Sequence, residues 1–289
     1  MFDALTEAGI TAKIKTAGVF QVDVRKSVTS TNSVLRGMAA EGAPEGLVLV
    51  AEEQTAGKGR LGRSFFSPGG HGVYFSLLLR PRIAANDATL ITPAAAVAAA
   101  RAVERVYGVR AGIKWVNDLF LNGKKICGIL TEAAISAGSS RAESAVLGIG
   151  INVTIPEGGY AGDLAGVATA CIGYNAGGPN AAGSGAVVED GRCRLIAAVL
   201  DEFWGFYQNL TARRFLDEYR ARSVVLGQDI RVCSGDTQKM ARALAIDDDC
   251  RLVVRYESGE TAALDSGEVS VVMQNAECRM QNAEIIMQK

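Results

Sequence analysis

The chain has a single histidine, His71, and its six cysteines (Cys127, Cys171, Cys193, Cys233, Cys250 and Cys278) are widely spaced with no C-x-x-C pair. Zinc-ligand spacing is therefore absent. No long apolar run is present either. The most apolar stretch, Pro93 to Ala100, falls far short of the ~20 residues that cross a bilayer. The first 24 residues lack the basic-then-apolar order of a signal peptide. Net charge is nearly missing as well: 30 Lys plus Arg against 31 Asp plus Glu leave -1. No global field then favours a nucleic acid or an anionic membrane, and any anion must be bound locally. These absences describe a soluble, reduced, cytoplasmic protein without a membrane or nucleic-acid partner.

What is present is a globular composition, 48% hydrophobic and 21% charged over 289 residues, with 33 glycines. That length predicts about two domains, and the glycine content exceeds the usual ~7%. Val19 to Val24 and Leu47 to Ala51 read as strands. Ser30-Thr31-Asn32 precedes a short helix that stops at Gly42, and any of the three serves as its cap. Thr92-Pro93 opens a second helix, with Thr92 as its cap and Gly108 after its end. Trp115 to Leu121 and Lys125 to Glu132 form a hairpin around Asn122-Gly123. Ala145 to Thr154 is a further strand. Leu195, Val199, Phe203 and Phe206 recur at helical spacing, and Phe215, Leu216 and Tyr219 form another amphipathic segment.

After Gly227 the pattern changes to short strands (Ile230 to Cys233, Ala241 to Ile246, Leu252 to Tyr256, Thr261 to Leu264) separated by turn clusters. That spacing predicts a small β-barrel. The boundaries expected are 1–225, 226–272 for the barrel, and a flexible tail over 273–289 that contains the repeated Met-Gln-Asn-Ala-Glu. Asp247-Asp248-Asp249 reads as a solvated turn rather than a metal loop.

The sharpest feature is local. From Gln54 to Asn86 there is no acidic residue, while Lys58, Arg60, Arg63, Arg80 and Arg82 supply five cations. Gly57-Lys58-Gly59-Arg60-Leu61-Gly62-Arg63 interleaves glycine with positive charge, a composition that lets backbone N–H groups and arginine forks converge on an anion. A flexible basic surface loop is the plainer alternative. The order matches neither a phosphate-binding P-loop nor the dinucleotide fingerprint. Two further places are marked by glycine, Gly128 after Lys125-Ile126-Cys127, and Gly148-Ile149-Gly150 before Asn152. Glycine within a strand weakens it unless something approaches the backbone there, so the three places imply one ligand. Asp118 and Lys125 face each other across the hairpin, either as a plain surface ion pair or as part of that site.

The segments Ser30-Thr31-Asn32, Glu53 to Arg63, Lys114-Trp115-Val116-Asn117-Asp118, Lys125 to Gly128 and Gly148 to Asn152 together resemble the biotin protein ligases. The resemblance spans roughly Val19 to Ser270 and is to the monofunctional type, because about 18 residues before the first strand are too few for a helix-turn-helix domain. It implies an α+β fold, a mixed sheet flanked by helices and followed by a small SH3-like barrel. It implies an activity that joins biotin and ATP, with Mg2+, into biotinyl-5′-AMP and passes biotin to a lysine of a biotin carboxyl carrier protein, the enzyme being a monomer or homodimer. By position, Ser30, Thr31, Asn32 and Gln54 would hold the biotin head group, and Lys58, Gly59 and Arg60 would lie in a loop folding over biotin and the adenylate phosphate. Lys125 would reach the carboxylate and phosphoryl group, Asn152 would sit near adenine, and Asp118 would assist magnesium or position charge. Arg63, Lys114, Trp115, Asn117, Gly128 and Gly150 complete the implied ligand set. Val116 stands where that family has proline, and an extended backbone is expected there. A lipoate or octanoate ligase on the same fold and a biotin-sensing repressor are the competing readings. His71 reads as a loop residue, because joining a carboxylate already ionised at pH 7 to a phosphate requires no general base. The glycine-rich loop is expected to be mobile until a ligand supplies the anion.

Overall fold

The computed structural model describes residues 4–135, 141–172, 188–234 and 237–271. The repeat-containing tail, Cys278 and residues 173–187 lie outside these residues. The chain divides between Val224 and Val225 into two compact units.

In the first unit, helix α1 (Glu7–Thr11) leads into strand β1 (Gln21–Val28), helix α2 (Thr31–Ala40), β2 (Leu47–Gln54) and β3 (Gly72–Leu79). Then come α3 (Ile91–Tyr107), β4 (Gly112–Lys114), β5 (Asp118–Leu121), β6 (Lys124–Ile135), β7 (Ala142–Asn152), α4 (Gly191–Tyr207) and α5 (Leu216–Ala221). The sheet order is β1-β2-β3-β7-β6-β5-β4. β1 and β2 are parallel and the other neighbours antiparallel. β3 is buried at every residue because α2 packs on it as well as α4. Leu35 of α2 joins Leu49, Leu78 and Val146 of three adjacent strands in one apolar cluster.

Register places the site. Tyr74 pairs with Gly150, Gly150 with Gly128, and Gly128 with Asp118, so four strands contribute one continuous row. The next row on the same face is Ser76, Gly148 and Leu130. Residues two apart on a strand share a face, so Gly148, Gly150 and Gly128 strip side chains from one patch of the sheet.

The Asn122-Gly123 turn is as expected, with φ of 51° and 75°, the left-handed pair that a type I′ hairpin requires. Three expectations need correction. Trp115 to Asn117 is a turn rather than the start of a strand, and it joins β5 to β4, a strand that three residues were too short to announce. The Trp115–Val116 peptide is cis rather than part of an extended run. Thr92 does not cap α3. A 3-10 segment, Ala85–Leu90, runs straight into the helix and leaves no free first turn, so the Thr92 hydroxyl instead meets that of Thr131 on β6 at 2.8 Å. Gly108 does end α3, at φ 70°.

The second unit is a five-stranded antiparallel sheet, β8 (Asp229–Ser234), β9 (Thr237–Ile246), β10 (Leu252–Tyr256), β11 (Thr261–Leu264) and β12 (Glu268–Val271), in the order β11-β10-β9-β8-β12. Its interior holds Ile230, Val232, Ala243, Ile246, Leu252, Val254 and Val269. β12 adds one strand to the four expected. Asp247 accepts the N–H groups of Asp249 and Arg251, the behaviour of a solvated turn.

α3 and α5 are joined by an ionic network. Glu218 accepts from Arg101 at 2.6 Å and Arg222 at 2.7 Å, and Arg222 also reaches Glu104. Burial works to raise the Glu218 pKa, but the hydrogen bonds from Arg101 and Arg222 outweigh it and hold the carboxyl below its ordinary value. A lowered folded-state pKa stabilises above the unfolded value, ~4.3 for Glu, and is lost as pH falls through the folded one. Glu218→Gln should therefore lower the melting temperature at pH 7 by about 2–4 °C. Melting curves should show the gap from the parent shrinking below about pH 4.

Candidate active site

The stripped patch of sheet is the floor of a cleft lined by Ser30, Thr31 and Asn32, by Gln54, by Lys58, Gly59, Arg60 and Phe65, and by Asn117, Lys125, Gly128, Ile129, Leu130, Gly148, Ile149 and Gly150. Five separated stretches of chain thus meet at one place. Eleven of the residues implied from sequence are brought together there. Arg63, Lys114, Trp115 and Asn152 lie outside the lining. Trp115 is buried, Lys114 Nζ sits 5.3 Å over the Phe120 ring, and Asn152 Nδ2 donates to Thr169 O at 3.0 Å. Asp118 touches the site through Lys125.

On the α2 side the polar groups hold one another. Ser30 occupies the N-cap position, yet its side chain makes no cap bond. The first helical N–H, of Thr31, is taken by Gln54 Oε1 from β2 at 2.9 Å. Thr31 Oγ1 also donates to Gln54 Oε1, and Gln54 Nε2 donates to Ser67 Oγ at 2.8 Å, which donates to Phe65 O. One side chain therefore couples the helix start to the basic loop. Asn32 is held by Ser76, whose hydroxyl lies 2.6 Å from Asn32 Oδ1, and by Glu132 Oε2 at 2.8 Å from Asn32 Nδ2. Ser76 was not singled out from sequence, although a lone serine inside Val-Tyr-Phe-Ser-Leu-Leu-Leu was the available signal.

On the hairpin side, Lys125 Nζ is 2.7 Å from Asp118 Oδ1. Asn117 connects the parts: Oδ1 accepts from Arg60 Nη1 at 3.0 Å, while Nδ2 donates to Asp118 Oδ1 and to Ile129 O. The loop itself is a small hairpin, with Gly59 N on Arg63 O and Phe65 N on Gly57 O. Leu61, at its tip, is 74% exposed with φ 55°.

The expectation that a ligand alone approaches the three glycines needs correction. Asn32 Oδ1 lies against the bare face of Gly148, and the Phe65 ring lies against Gly128 and Gly150. The glycines make room for protein side chains as well as for the cleft. Two other groups are inert. Burial pushes the Cys127 thiol well above its ordinary value and Cys171 up to about 12, so neither is a thiolate at neutral pH. His71 Nδ1 lies 3.1 Å from Thr154 Oγ1, outside the lining.

Residues 24–152 match the biotin/lipoate A/B protein ligase family, and residues 225–272 match the biotin protein ligase C-terminal domain. The bifunctional ligase/repressor BirA of Bacillus spizizenii is 32% identical over 259 residues, 88% of this chain and 76% of that protein. The biotin–[acetyl-CoA-carboxylase] ligase of Mycobacterium tuberculosis is 31% identical over 263 residues, 88% of this chain and 90% of that one. The chain belongs to the biotin protein ligase family. Its fold matches the biotin protein ligase of Aquifex aeolicus solved with biotin and ATP, at TM-score 0.67 and 23% identity, over 88% of this chain and 99% of that one.

A methyl group on Gly148 would collide with Asn32 Oδ1 and drive it off Ser76. Gly148→Ala should therefore cost about 1–3 kcal/mol, the usual cost of overpacking. Chemical denaturation measures this, and an unchanged midpoint would show that Asn32 is free to move aside.

Proposed function

We propose that this ligase activates biotin with ATP in the cleft, by joining a biotin carboxylate oxygen to the α-phosphorus, and then passes the biotinyl group to a lysine of a biotin carboxyl carrier protein. In the first step a C–O–P anhydride forms and the bond between the α- and β-phosphates breaks, releasing pyrophosphate. In the second the lysine amine attacks the acyl carbon and AMP leaves. The observation that carries the reading is Lys125 on a glycine-floored strand, 2.7 Å from Asp118, with Arg60 tied to the same hairpin through Asn117. Two anions must meet, so the barrier is largely repulsion and misalignment, which fixed cations and a close-fitting backbone relieve.

Ser30, Thr31, Asn32 and Gln54 are the polar wall for the biotin head group. Lys58, Gly59 and Arg60 cover the carboxylate and phosphate, and Arg63 and the Asn152 side lie farther out, toward the nucleotide. The loop closing over the adenylate would exclude water from the anhydride. Among the described residues no group of three His, Cys, Asp or Glu side chains is assembled to cage a metal. Asp118, the carboxylate beside Lys125, is the protein group that would help hold a Mg2+ ion carried by the nucleotide. When bound, the ion would neutralise phosphate charge. Among the described residues no helix is long and apolar enough to cross a membrane. The five described cysteines are free thiols, which fits a reducing, cytoplasmic location.

Biotin-dependent exchange of pyrophosphate into ATP tests the reading. Exchange is expected with biotin, and exchange with lipoate but not biotin would overturn it. Lys125→Met should lower the exchange rate by about 10²–10³-fold, the range for deleting one preorganised electrostatic contact. Arg60→Gly should retain adenylate synthesis but release the adenylate, so that lysines of bystander proteins become labelled in a biotin blot. Labelling confined to the carrier at the parental rate would remove Arg60 from that role.

A further inference from the structure

The basic loop leaves the sheet after Gln54 and returns at Gly72, and its two roots are held differently. The inner root is the Gln54–Ser67 pair inside the cleft. The outer root, residues 68–72, is held by groups that the reaction does not use. Glu52 Oε1 accepts the Gly70 N–H at 2.8 Å and Arg192 Nη1 at 2.6 Å, and Arg192 Nη1 lies 3.4 Å from Gly72 O. Tyr74 OH donates to Pro68 O, and burial keeps that phenol protonated. The carbonyl of His71 accepts two N–H groups, of Val153 and Thr154, just past Asn152 at the end of β7.

Arg192, the second residue of α4, is the one charged residue among the buried ones described, at 3% exposure. Its partner Glu52 is 29% exposed, and an ion pair that takes a charge out of water is seldom more stable than an apolar pair of the same volume, so stability alone does not account for it. Its geometry does. Three segments, β2, the loop end and the start of α4, meet at one carboxylate oxygen, and the same loop end is bonded to the exit of β7 through the His71 carbonyl.

We infer that Arg192 and Glu52 are a positioning pair for the ligase reaction. They fix the outer root of the basic loop against the end of β7, so that Lys58 and Arg60 return to the ligand at a fixed height above the sheet. Neither residue lines the cleft, and the pair acts through the loop. This inference rests on the ligase reading of the site.

Three variants test it: Arg192→Met, Glu52→Gln, and the two combined. Each is measured for melting temperature, for escape of biotinyl-adenylate into solution during synthesis, and for trypsin cleavage after Arg60 and Arg63 without ligand. Glu52→Gln strands the buried Arg192 charge and is expected to lower the melting temperature more than Arg192→Met, which leaves the partly exposed Glu52 without its ion-pair partner, whereas the double variant, with neither charge, should recover most of the loss. Adenylate escape and loop cleavage should nevertheless stay elevated about 3- to 30-fold in the double variant, the range for coupling carried through packed side chains. If the double variant regains parental adenylate retention along with its melting temperature, the pair is structural only and the inference is wrong. Parental escape and cleavage in all three variants would also overturn it. If the parental protein forms no adenylate, the ligase reading fails instead, and loop cleavage alone decides whether the pair holds the loop.

Discussion

Positive charge held against a patch of sheet from which side chains have been removed is the constraint on which the rest of the structure depends. Lys125 is anchored 2.7 Å from Asp118 at one end of a row that continues through Gly128 and Gly150 to Tyr74. Glycine in strand interiors weakens a sheet, so this patch must be supported elsewhere. The support is a wholly buried β3 on one side and the β5–β6 hairpin on the other, with Asn32 and Phe65 packed directly onto the bare backbone.

Neutral side chains do the linking. Asn117 spans Arg60, Asp118 and the Ile129 carbonyl, while Gln54 spans the first turn of α2 and Ser67. Amides can donate and accept together, so each sets the position of a charged or mobile neighbour without adding a charge that would oppose an anionic ligand. This is how a chain with a net charge of -1 presents a local cationic site. The 33-residue acid-free stretch supplies Lys58 and Arg60, β6 supplies Lys125, and Asp118 is the acid beside it.

The parts legible in sequence were those set by local chemistry. Asn122-Gly123 requires its turn, and α3 ends where Gly108 permits a left-handed residue. Lys58, Arg60 and Lys125 stood out because glycine surrounds them. What was not legible depends on distant partners. Gly148 looked like a ligand contact, but Asn32, 116 residues away, lies against it. Thr92 looked like a cap, but the preceding 3-10 turn and Thr131 decide its role. Nothing local marks Arg192, because its ion pair with Glu52 spans 140 residues. Phe65 lines the cleft because of loop closure, and Ser76 is buried against Asn32 because of strand register; only the second had a sequence signal, the lone serine in an apolar run.

The central claim is that this glycine-floored cationic cleft joins biotin to a protein lysine at the expense of ATP. Intact-mass analysis of a biotin carboxyl carrier domain, incubated with the protein, biotin, ATP and Mg2+, tests it most directly. The account predicts a gain of one biotinyl group on a single lysine, dependent on ATP and absent when lipoate replaces biotin. An unmodified carrier, or one modified only with lipoate, would contradict it.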